Sequence, residues 1–341
     1  MDINTSDAQW KNFKFEGSAG EYFGIAITNL FLTILTLGIY SAWAKVVRSK
    51  YFANKTLVQD TPILYHATGM QILKGRLVAL LFLILVSIFL TFAPLSLNFV
   101  GILGLLFLTP WIFNRSIKFN LKMHSYRNIR FDFTGSYWST FFYTIVAPLI
   151  SILTLFLLAP WFGAKSGKYF MTNTYWGTKK IDSKLCNKAF YNIFFKYFLI
   201  TLIFILPIVF CLFIGEVDSA FTFGLLIAYF YLPILFILYK TITNNLLINS
   251  LSFEETSQFK SNLSGWSIIC IGITNFLAIV FSVGLLYPWA TIRLKRYLIE
   301  NREFLLIGDL DSIVDKETGK MNAISEGVSD LDSDFNLDLP I

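Results

Sequence analysis

Apolar runs of about the length needed to cross a bilayer recur along this chain, and they limit its fold more than any other feature. They fall at 22–42, 77–95, 98–113, 138–160, 191–214, 219–239 and 265–287, against the roughly 20 residues that a transmembrane helix needs. Only 15% of the residues are charged, where a soluble domain carries roughly 25%. The expected fold class is an all-α polytopic membrane protein. The first residues show no basic segment ahead of a short apolar core, so no cleaved signal peptide is expected.

The runs are not independent. "GIYSAWAKVVRSKYFAN", from Gly38, returns as "FLLAPWFGAKSGKYFMTN" and again as "GLLYPWATIRLKRYLIEN". A shift of 118 takes Trp43 to Trp161 and Tyr51 to Tyr169, and a further 128 reaches Trp289 and Tyr297. The first shift also takes "FKFEGS" at Phe13 to "FDFTGS" at Phe131. A shift of 125 matches "NRSIKFNLKMHS" (114–125) to "YKTITNNLLINS" (239–250). The plan reads a-b-c, a-b-c, a, and such repeats build pseudo-symmetric cores in membranes. The units are placed at 22–130, 131–255 and a truncated 256–307, flanked by a 1–21 segment and a 308–341 tail.

The repeated phrase has a physical reading as an interfacial anchor. Tryptophan favours the headgroup level, and Trp43, Trp111, Trp161 and Trp289 are assigned there, with Tyr51, Tyr169 and Tyr297 lying along the interface. Lys50, Lys168 and Arg296 follow the repeated tryptophans by seven positions; with Arg48, Lys165 and Arg293 they form a basic collar facing anionic lipid. The phrase is expected to turn the chain from a core helix into a surface helix. Within the apolar runs, Thr28, Asn29, Thr274 and Asn275 are the intramembrane polar residues, and Pro148 marks the matching depth in the middle copy. Asn competes for backbone hydrogen bonds and Pro removes a donor, so a bend is expected at this depth.

Loops 43–76, 114–137 and 161–196 are basic, while the turns "FAPLSLN" and "GEVDSA" carry no Lys or Arg. The positive-inside rule puts those loops in the cytoplasm, and the b and c segments become four transmembrane helices in two hairpins. The three a segments then either re-enter on the same face or span once against the charge rule. Short β elements are expected in the cytoplasmic loops at 61–69, 127–135 and 301–308, and no separate soluble domain.

The tail 309–341 carries nine carboxylates against Lys316 and Lys320, a net −7 that leaves +13 on the rest of a chain whose total is +6. It reads as a solvated, disordered segment. Catalytic chemistry has no candidate. His66 and His124 stand apart as surface residues, and no metal spacing, phosphate loop or dinucleotide motif is present. Cys186, Cys211 and Cys270 are widely spaced and read as buried small apolar side chains. No cofactor and no metal is expected, and charge interleaved with aromatics beside membrane segments argues for anionic lipid over nucleic acid.

The stretch "FEGSAGEYFGIAITNLFLTILTLGIYSAWAKVVRSKYF", with "LYHATG" and "KGRLVA", resembles the YjgN-like family of bacterial inner-membrane proteins, a domain-of-unknown-function family. The resemblance runs over roughly 13–307 and implies a multi-pass protein of the bacterial inner membrane, with no activity to carry over. The middle copy departs from it, with Ala147 and Phe156 where the other copies have Asn and Gly. The function expected is a pore or transport pathway for a neutral or anionic solute or lipid, lined by Asn29 and Asn275. The alternative is a non-conducting scaffold that binds anionic lipid and a membrane protein partner.

Overall fold

In the computed structural model, which describes residues 10–92, 94–253, 257–305 and positions 314, 318 and 319, short strands and helical hairpins alternate. The strands are β1 (Trp10–Asn12), β2 (Lys14–Phe15), β3 (Thr56–Val58), β4 (Thr61–Tyr65), β5 (His124–Tyr126), β6 (Ile129–Phe133), β7 (Thr174–Trp176), β8 (Lys179–Ser183), β9 (Leu251–Phe253), β10 (Ser257–Ser261) and β11 (Arg302–Leu305). They form one antiparallel sheet in the order β1-β11-β10-β9-β8-β7-β6-β5-β4-β3-β2. The two ends of that order are separated in the chain by Phe13 alone, whose N–H donates to the Arg302 carbonyl at 3.1 Å. One segment thus pairs with β11 through its first half and with β3 through its second. The sheet closes into a barrel and leaves no long unpaired edge.

A single apolar cluster fills the barrel. Phe13 and at least one side chain from each of β3 to β11 enter it, with Tyr126, Ile129, Trp176, Phe253 and Phe304 buried at its centre. The short β elements expected in separate loops are therefore parts of one structure. Their isolation in the sequence concealed this, because each needs partners a whole hairpin away.

Alternate connections of a meander lie at opposite ends of a barrel. At one end are tight turns, in which Gln59, Asp60, Arg127, Asn128 and Gly177 take positive φ, as two-residue hairpin turns require. At the other end every connection is helical. The helices are α1 (Ala19–Leu35), α2 (Ser41–Asn54), α3 (Gly69–Phe92), α4 (Leu95–Lys122), α5 (Tyr137–Phe141), α6 (Ala147–Leu153), α7 (Ala159–Thr172), α8 (Asn187–Phe213), α9 (Val217–Leu226), α10 (Leu232–Asn249), α11 (Gly265–Phe281) and α12 (Tyr287–Glu300). π-helical turns join α5 to α6 and α9 to α10. Each hairpin leaves one strand and returns to its hydrogen-bonded neighbour: β2 to β3, β4 to β5, β6 to β7, β8 to β9 and β10 to β11. The hairpins pack in succession, and α12 packs on α1 to close the ring.

Among the described residues, three helices are long and apolar enough to cross a membrane: Gly69–Phe89, Asn187–Phe213 and Val217–Asn249. The three a segments are shorter. The bend expected at Asn29, Pro148 and Asn275 lies elsewhere: Asn29 and Asn275 sit inside unbroken helices, and Pro148 is the second residue of α6. The chain reverses seven or eight residues later, where Leu37–Gly38, Leu155–Phe156 and Val283–Gly284 adopt positive φ. The stretch expected to form a surface helix is instead the returning arm, α2, α7 or α12. At each tip an amide donates five residues back: Gly38 to Thr33 at 2.7 Å, Phe156 to Ser151 at 2.6 Å and Gly284 to Ile279 at 2.8 Å. This satisfies helix-end carbonyls internally. Cys211 is buried as expected, but Cys186 and Cys270 are exposed, because they sit just before α8 and on an outward face of α11.

Candidate functional site

The closing tyrosine of each repeated phrase latches its hairpin. The Tyr51 hydroxyl accepts from the Ser18 N–H at 2.9 Å and donates to the Ser18 carbonyl at 3.0 Å. Tyr297 does the same with Ser264, and Tyr169 donates to Ser136 O at 3.0 Å. These serines are the N-caps of α1, α5 and α11, with side chains that accept from Glu21, Ser139 and Ser267. The first turn of each hairpin is thereby tied to the last. The three serines escaped the sequence reading, although Ser stands 33 residues before Tyr in all three copies.

The tryptophans lie near basic residues. Arg115, Lys165 and Arg293 stand over the rings of Trp111, Trp161 and Trp289 at 5.3–5.9 Å, each four positions on, a cation–π geometry. Trp43 instead stacks on Tyr40 and packs against Gly69, where an added Cβ would meet the indole. Lys50 and Lys168 are exposed, while Arg296 donates to the Gly17 carbonyl at 2.9 Å.

The outermost basic residue of seven helices lies at one height. Arg76, Arg115, Lys165 and Arg293 are seven residues from the barrel end of their helices, and Lys45, Lys196 and Lys240 are nine. At 1.5 Å per residue they form a ring ~10–14 Å above the barrel rim. Beyond it the hairpins carry no Asp, Glu, Lys or Arg except Glu216 and Asp218 in the far α8–α9 turn. Long hairpins continue ~25 Å past the ring, short ones only ~10 Å. The short tips end in Leu37, Leu155 and Val283, which are 94%, 81% and 92% exposed.

The intramembrane polar residues divide. Asn275 is buried, its Nδ2 donates to the Ala290 carbonyl at 3.0 Å, and Arg293 donates to its Oδ1 and to Thr274 Oγ1. Asn275 therefore ties α11 to α12. At the matching positions of the first hairpin, Asn29 and Ala44 both face a cavity of about 520 Å³. Thr28 is exposed, and in the second hairpin Ala147 and Phe162 fill the equivalent space, both buried. The cavity lies between the first and third short hairpins and is lined by Lys45, Arg48 and Arg76 as well as by apolar side chains. Arg48, assigned to the collar, stands here beside Lys45 and Arg76 of the same basic stretch 43–76. A second cavity, beside Trp289, Arg293 and Arg296, is also lined by Glu300. Among the described residues no cluster of His, Cys, Asp and Glu is arranged to hold a metal. His66 and His124 pair with Ser125 Oγ and the Asn120 carbonyl, both at 2.7 Å.

A family model described as a bacterial protein of unknown function (DUF898) matches residues 11–331. Among curated proteins, the chain is 31% identical over 164 residues to the inner membrane protein YjgN of Escherichia coli K12. It is 26% identical over 157 residues to the YjgN of Salmonella typhimurium. Each alignment takes in 46% of this chain and 40% of the relative, so the matched part is less than half of those proteins. No solved structure matches.

Proposed function

Because the chain belongs to the DUF898 family of bacterial proteins of unknown function, we propose its role from its geometry: an inner-membrane scaffold that grips the anionic cytoplasmic leaflet and does not conduct. The relatives' names, inner membrane protein, support the location. The observation that carries the reading is that every helical hairpin returns to the neighbouring strand of one closed barrel. If that barrel lies on one side of a membrane, each hairpin enters and leaves from that side. The excess of Lys and Arg in the barrel and its flanks makes that side the cytoplasm.

The basic ring then lies at the phosphate level. The long hairpins reach ~25 Å beyond it, about the ~30 Å hydrocarbon thickness, and deliver Glu216 and Asp218 to the far side. The short hairpins stop within one leaflet, as re-entrant elements. Their tips suit that depth, since backbone in hydrocarbon must be satisfied internally, and the Gly38, Phe156 and Gly284 amides donate back to helix-end carbonyls. A pathway through the core is disfavoured by the aromatic filling of the barrel and by the bonded state of Asn275.

The test is cysteine accessibility in a Cys-free background with Lys50→Cys, Lys168→Cys, Lys295→Cys and Asp218→Cys. Asp218→Cys is expected to react with an impermeant maleimide in intact spheroplasts, and the other three only after lysis. Labelling of Lys168→Cys alone from outside would establish single-crossing a segments and overturn the arrangement. Solute flux through proteoliposomes above that of empty vesicles would overturn the non-conducting role.

A further inference from the structure

We propose that the cavity between the first and third short hairpins binds one anionic phospholipid, with its phosphate on Arg48 and Arg76 and its proximal acyl chain along α1. The inference rests on the membrane arrangement above and goes beyond a general attraction to the leaflet, because it names one site. Lys45, Arg48 and Arg76 line the cavity, and among the described residues no carboxylate does. Arg76 is oriented by donating from Nη1 to Ser41 Oγ at 2.6 Å, which joins α3 to the tip of the first hairpin. Guanidinium groups match phosphate oxygens in a planar, two-pronged geometry that an ammonium lacks.

The rest of the lining distinguishes a lipid from a soluble anion. Ile27, Leu30, Val283 and Leu285 form walls toward the hairpin tips, on the side away from the barrel. A free phosphate would satisfy the cations and leave those walls without an occupant. A phospholipid satisfies both, with its charge at the basic ring and its chain in the apolar part. The room exists because the first hairpin leaves open what the third closes. Asn275 is bonded to Ala290, whereas Asn29 and Ala44 both face the cavity. In the middle copy, Arg48 and Arg76 correspond to Ser166 and Phe194, so the site is not repeated there.

The full chain, delipidated in neutral detergent, is mixed with phosphatidylglycerol, phosphatidylcholine or inorganic phosphate, and bound lipid is counted by native mass spectrometry. One phosphatidylglycerol is expected to be retained in preference to phosphatidylcholine. Arg48→Gln with Arg76→Gln should weaken it by about tenfold or more, as loss of charge-assisted bonds requires. Ala26→Trp, which fills the cavity and keeps every charge, should do the same, and it carries the test if the double variant fails to fold. Lys118→Gln, on an exposed position of α4 outside both the collar and the cavity, should bind as the native chain does. Equal loss in Lys118→Gln, undiminished binding in the cavity variants, or equal retention of phosphatidylcholine would overturn the site. Displacement of the lipid by millimolar inorganic phosphate would make it a free-anion site and overturn the lipid assignment. The cysteine labelling separates the two readings: its failure alongside the expected lipid pattern removes the membrane arrangement and leaves the site.

Discussion

Tyr51 and Ser18, 33 residues apart, hold each other by a reciprocal pair of hydrogen bonds: N–H to hydroxyl at 2.9 Å and hydroxyl to carbonyl at 3.0 Å. The pair closes the base of the first short hairpin where it joins the barrel. Tyr51→Phe keeps the ring stacked on Tyr22 but strips both partners, and should destabilise the protein by about 0.5–1.5 kcal/mol. Tyr297→Phe should lose a similar amount, since its bonds to Ser264 are the same in kind. Thermal unfolding in detergent reads both. No change in either would mean that water takes over the hydroxyl's role.

Asn29 and Asn275 occupy equivalent positions and are expected to respond differently. Asn275→Leu removes the side-chain donor to the Ala290 carbonyl and one acceptor from Arg293, at about 1–3 kcal/mol. Asn29→Leu only changes the wall of a cavity and should move the unfolding temperature little. If both variants unfolded alike, the asymmetry between the first and third hairpins would have no energetic content.

What could be read from the sequence follows from how local each signal is. The apolar runs and the Trp-to-Tyr phrase are local, and they located the helices of the returning arms. The barrel was hidden because its strands have two to five residues, at or below the usual 4–8 for a strand signal. Their partners are also distant: Ile63 pairs with Tyr126, and the seam joins Phe13 to Arg302. The reversal point was misplaced because Asn29 and Asn275 look like helix breakers in an apolar run, whereas they pack within helices. Gly38 and Gly284 marked the true turns, but Phe156 holds the same left-handed position in the middle copy and masked the pattern.

Trp176 is the largest side chain in the barrel filling. It packs against Tyr126 of β5 and Phe253 of β9, each two strands away in the sheet. Trp176→Ala removes a buried indole from the barrel filling and should cost about 3–5 kcal/mol. Since all hairpins are rooted in this barrel, the loss should lower one cooperative transition and not split off a part. Two separate transitions in the variant would show that the helices fold independently of the sheet.

Glu21, in the first turn of α1, reaches Lys55 at 3.0 Å and accepts from the Tyr51 hydroxyl at 3.1 Å. The hydrogen bond from Lys55, then that from Tyr51, holds its carboxyl below the usual value of 4.5. The folded state therefore binds this proton less readily than the unfolded chain. Its contribution is complete above pH 4.5 and is lost as the pH falls through the depressed folded value. Lys55 is raised above 10.5, chiefly by the same hydrogen bond, so its contribution persists until the pH rises through that higher value. Glu21→Gln should make the unfolding temperature less dependent on pH below 4.5 and again above 10.5, with a small offset between, as an exposed pair allows. Melting curves from pH 3 to pH 11 check this, and an unchanged acid slope in Glu21→Gln would show that other carboxylates govern the acid limb.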